Sequence, residues 1–159
     1  MRNTDIYAID PGGTTGVACL SHFDDGTEGG VRVVATIQVP GGRFGFYQWA
    51  QDVHLFDKAA AVACENFIIN TGTATKSRQA DPLMLAGYLE GECCVRSIPF
   101  LLQTPAQAKA FATDDKLKHL GWWNPTKGGH ANDAARHLLV YMVTQVHDNT
   151  ILDTLAEML

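Results

Sequence analysis

The sequence predicts a single α/β domain in which helices flank a central β-sheet. Apolar and β-branched runs alternate with segments of helical periodicity, in the order strand, strand, strand, helix, strand, helix, strand, helix. A chain of 159 residues with 46% hydrophobic content is long enough to bury one core. Two of the apolar runs end on a carboxylate, Asp10 and Glu65, and a buried carboxylate must be paired, solvated or bound to a metal ion.

The first part of the chain predicts an antiparallel meander followed by a helix. Short segments rich in glycine, proline and polar residues separate three strand-like runs. The predicted strands are 6–10, 16–21 and 31–39. From Phe44 to Lys58, apolar residues recur at helical spacing and predict one amphipathic helix on a face of the sheet.

The middle of the chain predicts a buried strand, a polar loop and a helix. Residues 59–69 are small or β-branched around Glu65, which is typical of a strand buried on both faces. The loop 70–80 is polar and locally basic. Asp81 is the predicted N-cap of a helix that ends near Val95. That helix is apolar on more than one side, so we expect it to contact both its own sheet and another subunit.

The last part of the chain predicts a short strand and several helices. These are a strand over 98–103, a helix over 104–111, a helical turn at 113–116, a long helix over 130–147 and an amphipathic helix over 148–159. We expect the last of these to pack on the same domain or on a dimer partner. The long helix carries His130, Asp133 and His137 along one edge. His137 is interpreted as a structural or surface histidine.

Composition narrows the classes of function and compartment. The net charge of -5 excludes a generally basic surface, so a DNA site must be a local patch. The 4 cysteines lack zinc-ligand spacing, which indicates reduced thiols. No run resembles a signal peptide or reaches membrane-spanning length, and we expect a cytoplasmic protein without a membrane partner, in the host cytoplasm if phage-encoded.

Three carboxylates stand where their elements leave the core: Asp10, Glu65 and Asp133. If the first and fourth strands are parallel neighbours, their ends lie about 4.8 Å apart and the first two acids converge. A divalent cation relieves the resulting repulsion, and oxygen ligands select Mg²⁺ or Mn²⁺. His130 is one helical turn before Asp133 and could add an imidazole. Taken singly, each acid is also consistent with an ordinary turn or strand end, and His130 with an exposed helix terminus.

The chain resembles the RuvC-like Holliday junction resolvases, especially the small phage-type members, which have the RNase H-like fold. Four motifs carry the resemblance, and they span nearly the whole chain. They are Ile-Asp-Pro-Gly at 9–12 with Thr15-Gly16, Cys64-Glu65 at a strand end, Thr104-Pro105 with Lys109, and His-Ala-Asn-Asp-Ala-Ala at 130–135. The resemblance implies a mixed five-stranded sheet, with strands 1–3 antiparallel and strands 4 and 5 parallel, in a nuclease domain at 1–147.

The resemblance also implies an activity and its site. Asp10, Glu65 and Asp133 match metal-binding acids, and His130 stands at the position of a fourth acid. The implied reaction is metal-dependent hydrolysis of DNA phosphodiesters at branch points, in recombination and repair. Two Mg²⁺ ions per active site, for which Mn²⁺ substitutes, would lie about 3.5–4 Å apart. His130 is either a ligand or a proton shuttle. The implied assembly is a homodimer on four-way junctions and possible three-way or flap DNA.

Basic residues near these acids are the predicted DNA contacts. Lys109 and either Lys116 or Lys118 match phosphate-binding residues of the family. The complete predicted set is Lys76, Arg78, Lys109, Lys116, Lys118 and Lys127. Phosphate contacts confer affinity without sequence selection, so we expect structure-selective cutting.

Two other functions are consistent with parts of the sequence. The turn at 10–15 also resembles the phosphate-binding hairpin of actin-like ATPases and sugar kinases, although those proteins bind nucleotide between two such domains. A catalytically inactive junction-binding module is the other alternative, since His130 departs from the four-acid pattern.

Overall fold

A computed structural model describes residues 4–23, 31–68, 80–125 and 129–158. The strands are β1 Asp5–Asp10, β2 Thr14–Phe23, β3 Val31–Pro40, β4 Ala59–Glu65 and β5 Phe100–Gln103. They form one sheet in the order β3-β2-β1-β4-β5. Pairing is antiparallel between β1 and β2 and between β2 and β3, and parallel from β1 to β4 to β5. The predicted mixed five-stranded sheet is confirmed.

Helices cover both faces of this sheet. They are α1 Gly42–Asp52, α2 Leu55–Lys58, α3 Ala80–Val95, α4 Pro105–Phe111, α5 Asp114–His119, α6 Gly129–Tyr141 and α7 Asn149–Ala156, and a π-helical segment, Met142–Val146, follows α6. Over the described residues, every helix is too short or too polar to cross a membrane.

The side chains of β1 alternate between two cores, as expected for a strand buried on both faces. Tyr7 and Ile9 pack in the core that contains Phe46 of α1. Ala8 packs in the opposite core with Leu138 of α6. The small side chain of Ala8 lets α6 lie close to the sheet, while each fully buried leucine or phenylalanine contributes about 2 kcal/mol to stability.

The strand register brings three polar residues to the same edge of the sheet. Glu65 of β4 lies beside Gln103 of β5, and both end their strands. Asp10 ends β1, the parallel neighbour of β4. Parallel strands that end together place their last side chains at one edge, so these residues meet beyond the carboxyl ends of the central strands. β4 ends at Glu65, as predicted for this acid, and the described residues 66–68 of the predicted run 59–69 are not part of the strand.

The predicted helix from Phe44 to Lys58 is wrong as a single element. It is divided into α1 and α2 at His54, which has φ of 55° in the left-handed region. Such a residue cannot continue a right-handed helix, and it redirects the chain so that Leu55 is fully buried. The spacing of apolar residues is helical on both sides of this break, so periodicity does not detect it.

One further predicted helix start is wrong, and one predicted helix end is confirmed with a change in helix type. Asp81 lies inside α3, which begins at Ala80, and its Oδ1 accepts a hydrogen bond from Arg43 Nη1 at 2.7 Å instead of capping the helix. The long helix predicted to end at His147 is α-helical only to Tyr141. It continues as the π-helical segment and stops at His147, where φ is 55°.

The C-terminal helix α7 packs on the core beside α6. Asp148 caps it, with Oδ1 accepting a hydrogen bond from Ile151 N at 3.0 Å. The other carboxylate oxygen lies 2.6 Å from Arg32 Nη2 on β3. Ile151 is buried against the α6 side of the sheet. The ion pair with Arg32 and the burial of Ile151 therefore hold α7 against the rest of the chain.

Gly16 allows the start of α6 to touch β2. A Cβ at position 16 would lie 1.9 Å from the carbonyl oxygen of His130 and 2.9 Å from the nitrogen of Ala131. Gly16 is also the residue of β2 opposite Asp10. Because residue 16 has no side chain, the first turn of α6 can pack against β2 beside Asp10.

Gly16→Ala should force α6 away from β2. Because its methyl group would overlap backbone atoms, we expect the free energy of unfolding to fall by about 1–3 kcal/mol in urea denaturation. Gly129→Ala is the matched control, since a Cβ there meets no atom within 4 Å at the start of the same helix. Equal stability of the two variants would contradict this packing.

Candidate active site

Asp10 is the most buried acid at the carboxyl edge of the sheet, with 4% of its surface exposed. The turn after it is tight, and the Thr15 hydroxyl donates to the carbonyl oxygen of Gly12 at 3.4 Å. Asp10 Oδ2 lies 2.7 Å from His130 Nδ1, at the start of α6. A carboxylate so removed from water needs such a partner.

Charges around Asp10 link the predicted acids. Burial raises the pKa of Asp10, the hydrogen bond from His130 lowers it, and the charges of Glu65 and Asp133 raise it further. Conversely, the hydrogen bond to Asp10 raises the pKa of His130 above its ordinary value. The charges of Glu65 and Asp133 therefore disfavour the ionised form of Asp10, and the hydrogen bond from His130 favours it.

Glu65 is held by a buried histidine. Its Oε2 lies 2.9 Å from His137 Nε2, and His137 Nδ1 lies 2.8 Å from Gln103 Oε1. His137 is on α6, four residues after Asp133, and 1% of its surface is exposed. The same helix therefore contacts the ends of β1, β4 and β5.

Asp133 has a cationic partner on each carboxylate oxygen. Lys109 Nζ is 3.3 Å from Oδ2, and Arg136 Nε is 3.2 Å from Oδ1. Arg136 also bonds to Asp114 and to the carbonyl oxygen of Ala112. These contacts link the first turn of α5 and the middle of α6 to α4, and they compensate the charge of Asp133.

The donor set fits a hard divalent cation. It consists of carboxylates and an imidazole, while burial raises the pKa of the nearby Cys64 thiol well above its usual range and so disfavours a thiolate ligand. The negative charge that raises the pKa of Asp10 is the kind that such a cation offsets. Across residues 4–23, 31–68, 80–125 and 129–158, no three His, Cys, Asp or Glu side chains already form a metal-holding group.

Comparison with solved structures identifies the fold. RuvC of Thermus thermophilus, in a complex described as bound to a Holliday junction substrate, aligns with a TM-score of 0.63 over 91% of this chain and 96% of its own, at 15% identity. A second structure of that RuvC aligns with a TM-score of 0.56 over 84% of this chain and 90% of its own, also at 15% identity. This chain has the RNase H-like fold of RuvC. No protein-family model and no curated protein sequence matches it.

On this RuvC fold, three of the predicted DNA-contacting lysines are described. Lys109 pairs with Asp133, and its side chain is 58% exposed. Lys116 Nζ donates to the carbonyl oxygen of Phe111 at 2.8 Å. Lys118 Nζ is 3.9 Å from Asp115. Lys109 is the member of this set that contacts the acidic cluster. The predicted contacts Lys76, Arg78 and Lys127 lie outside the described residues.

Sequence reasoning missed the roles of three residues beside the acids. Arg136 and His137 contact an acid directly, and Gln103 acts through His137. The two on α6 had a usable signal, since they follow Asp133 at i+3 and i+4 and therefore share its helix face. Gln103 had a weaker one, as a polar residue that ends an apolar strand. Neither spacing specifies which acid is the partner, because that depends on strand order.

The pairing of His130 with Asp10 gives a pH prediction for the protein without metal. NMR titration should give His130 a pKa above 6.5, and Asp10→Asn should lower it because the charged acceptor is lost. Since the pKa of His130 is raised in the folded state, protonation of His130 stabilises the fold fully below pH 6.5, as long as Asp10 is ionised. This contribution falls as pH rises through the folded-state pKa of His130. A His130 pKa that Asp10→Asn leaves unchanged would contradict the pairing.

Proposed function

We propose that this chain is a structure-selective, metal-dependent endonuclease that resolves Holliday junctions and other branched DNA by symmetric phosphodiester hydrolysis. The observation that carries the proposal is the position of helix α6 at the carboxyl edge of a RuvC-fold sheet. This helix carries Asp133, and its His130 and His137 contact the strand-end acids Asp10 and Glu65. The description of the Thermus thermophilus neighbour, which names a Holliday junction substrate, supports the choice of branched DNA. In this proposal residues 1–147 are the nuclease domain, and 148–159 form an accessory helix.

The acids are the proposed ligands of Mg²⁺, for which Mn²⁺ can substitute, at two ions per active site. Ions held by these acids would supply Lewis-acid stabilisation of the charge that develops on the phosphate oxygens during hydrolysis. Asp10 supports this role because one of its oxygens, Oδ1, is outside the hydrogen bond to His130. Asp133 supports it because its two cationic partners, Lys109 and Arg136, can exchange an ion pair for contact with DNA phosphate.

His130 is the proposed proton acceptor for the attacking water. Asp10 engages Nδ1, which fixes the ring and leaves Nε2 without a hydrogen bond to any described residue. The His130 side chain is 47% exposed, so Nε2 is accessible to water and substrate. In the proposed step Nε2 takes one proton from water as its oxygen attacks phosphorus, the P–O3′ bond breaks, and the departing 3′-oxygen gains a proton from solvent.

Phosphate contacts by Lys109, Lys116 and Lys118 complete the proposed substrate path, together with Lys76, Arg78 and Lys127. Lys109 is the strongest candidate because it lies on α4 within 3.3 Å of Asp133. A lysine there can hold a phosphate beside the acids and compensate part of the net charge of -5 that opposes DNA binding.

A homodimer is the proposed assembly, because symmetric cutting needs two sites. The outward face of α3 supports this interface. Leu83 and Met84 are 42% and 49% exposed, and Gly87 and Gly91 follow on the same face with no atom within 4 Å of an added Cβ. Glycine inside an exposed helix costs about 1 kcal/mol relative to alanine. Gly87 and Gly91 are four residues apart on one face of α3, so a second helix could approach the backbone of α3 closely at these positions.

Incubation with a four-way junction tests the proposed function. We expect paired nicks in Mg²⁺ or Mn²⁺, none in EDTA, and a loss of at least about 100-fold in Asp10→Asn because a buried metal-binding charge is removed. Three-way, flap and linear duplex DNA define the structural preference. Junction binding without cleavage in either metal would contradict the enzyme proposal and favour an inactive binding module.

Lys109→Ala tests the DNA path. Loss of one phosphate contact should weaken junction binding and reduce the slope of log K against log[salt] by about 1. Lys58→Ala is the matched control, because Lys58 is exposed at the other edge of the sheet, just before β4 begins. A salt slope that is the same for Lys109→Ala and wild type would place the DNA elsewhere.

Gly91→Leu tests the dimer. The open space at position 91 should let the monomer fold, while the larger side chain separates two α3 helices, so sedimentation should change from dimer to monomer. Asp153→Leu, which adds an exposed leucine on α7, is the control and should remain dimeric. A Gly91→Leu protein that sediments like wild type would exclude this face.

A further inference from the structure

Gln103, His137 and Glu65 form a hydrogen-bonded series that joins β5, α6 and β4. His137 stands between the other two, with Nδ1 2.8 Å from Gln103 Oε1 and Nε2 2.9 Å from Glu65 Oε2. Gln103 and His137 are almost fully buried, with 6% and 1% of their surfaces exposed. A polar series so removed from water is stable only if every donor meets an acceptor.

The hydrogen bonds determine how the Gln103 amide and the His137 ring must be oriented. With Gln103 Oε1 toward Nδ1, both ring nitrogens face oxygens, so the buried ring would have to donate from both and carry a charge. In that orientation Gln103 Nε2 is buried and has no partner among the described residues. The oxygen and nitrogen of an amide occupy interchangeable positions, and rotating the group by half a turn directs Nε2 toward His137.

The rotated amide gives Gln103 Nε2 an acceptor and makes a charged ring unnecessary, and it leaves Gln103 Oε1 as the buried atom without a partner among the described residues. Gln103 Nε2 then donates to His137 Nδ1, and a neutral ring carries its single proton on Nε2. That nitrogen donates to Glu65 Oε2, so the carboxylate keeps its charge. The direction of donation is the same along the series, from the amide to the ring to the carboxylate.

We propose that Gln103 and His137 are positioning residues that hold Glu65 as a one-oxygen ligand for the divalent cation, with Oε2 engaged by His137 and Oε1 left for the metal. This inference rests on the proposed function, because it takes Glu65 as a metal ligand. Neither positioning residue contacts substrate or metal. Each acts through the rotamer and orientation of Glu65.

The fold explains why these two residues suit the role. His137 follows Asp133 by four residues on α6, so one helix face carries both a proposed ligand and the residue that orients another ligand. Gln103 lies beside Glu65 in the sheet, and the main-chain carbonyl oxygen of Gln103 accepts a hydrogen bond from the main-chain nitrogen of Asn66 at 2.7 Å. Both supports are on regular elements, which limits their motion. Partners of this kind change metal affinity by about 10–100-fold when removed.

Calorimetric titration of Mn²⁺ into DNA-free protein measures the effect without relying on catalysis. His137→Met removes the donor at similar volume and should weaken binding about 10-fold or more. His137→Gln keeps an N–H at the position of Nε2 and should restore affinity to within about 3-fold of wild type, a rescue that a role in packing alone does not predict. Gln103→Met should fall between them. His22→Gln is the matched control, since His22 is exposed at the opposite edge of the sheet.

Nitrogen-15 NMR of the imidazole tests the assigned proton directly in metal-free protein. We expect a neutral His137 with its proton on Nε2, shifted toward the other tautomer in Gln103→Met. A proton on Nδ1, or Mn²⁺ affinity equal in His137→Met and wild type with both folded by circular dichroism, would overturn the proposal. If wild-type protein binds Mn²⁺ with an affinity that His137→Met lowers and yet cuts no junction, that result would support this inference and contradict the proposed function.

Discussion

The burial of Asp10 is the constraint on which the rest of the site depends. Its carboxylate is 4% exposed, and the charges of Glu65 and Asp133 make its ionised form less favourable still. One imidazole at 2.7 Å offsets the charge of Asp10, and Lys109 and Arg136 offset the charge of Asp133. Such a cluster costs stability in a protein that has no use for a cation. A bound divalent cation would offset the negative charge that disfavours ionised Asp10, as the proposed function requires.

Helix α6 is the element that makes this constraint geometrically possible. It supplies His130 to Asp10, Asp133 to Lys109 and His137 to Glu65, so three separate contacts to the site come from one rigid body. Its position in turn depends on the missing side chain of Gly16, because its first turn lies against β2. Sheet register and helix placement are therefore coupled, and a shift of α6 would disturb every acid at once.

Most of the fold and part of the site could be predicted from the sequence, for physical reasons. Periodicity and turn residues predicted the order of strands and helices along the chain, whereas the parallel and antiparallel pairing in the sheet was implied by the family resemblance. The acids stood out because apolar strands should not end on a charge. His54 could not be predicted, because a left-handed residue leaves the helical spacing around it unchanged. His137 was interpreted as structural or surface, since its contact with Glu65 arises only when β4 and α6 come together across 72 residues of sequence.

The central claim is that residues distant in sequence share one divalent cation at the carboxyl edge of the sheet. Anomalous diffraction at the manganese edge, from crystals equilibrated with Mn²⁺, tests it most directly. We predict an anomalous peak within coordination distance of carboxylate oxygens from both Asp10 and Glu65. At saturating Mn²⁺, a peak elsewhere on the molecule, or none at this edge, would contradict the account.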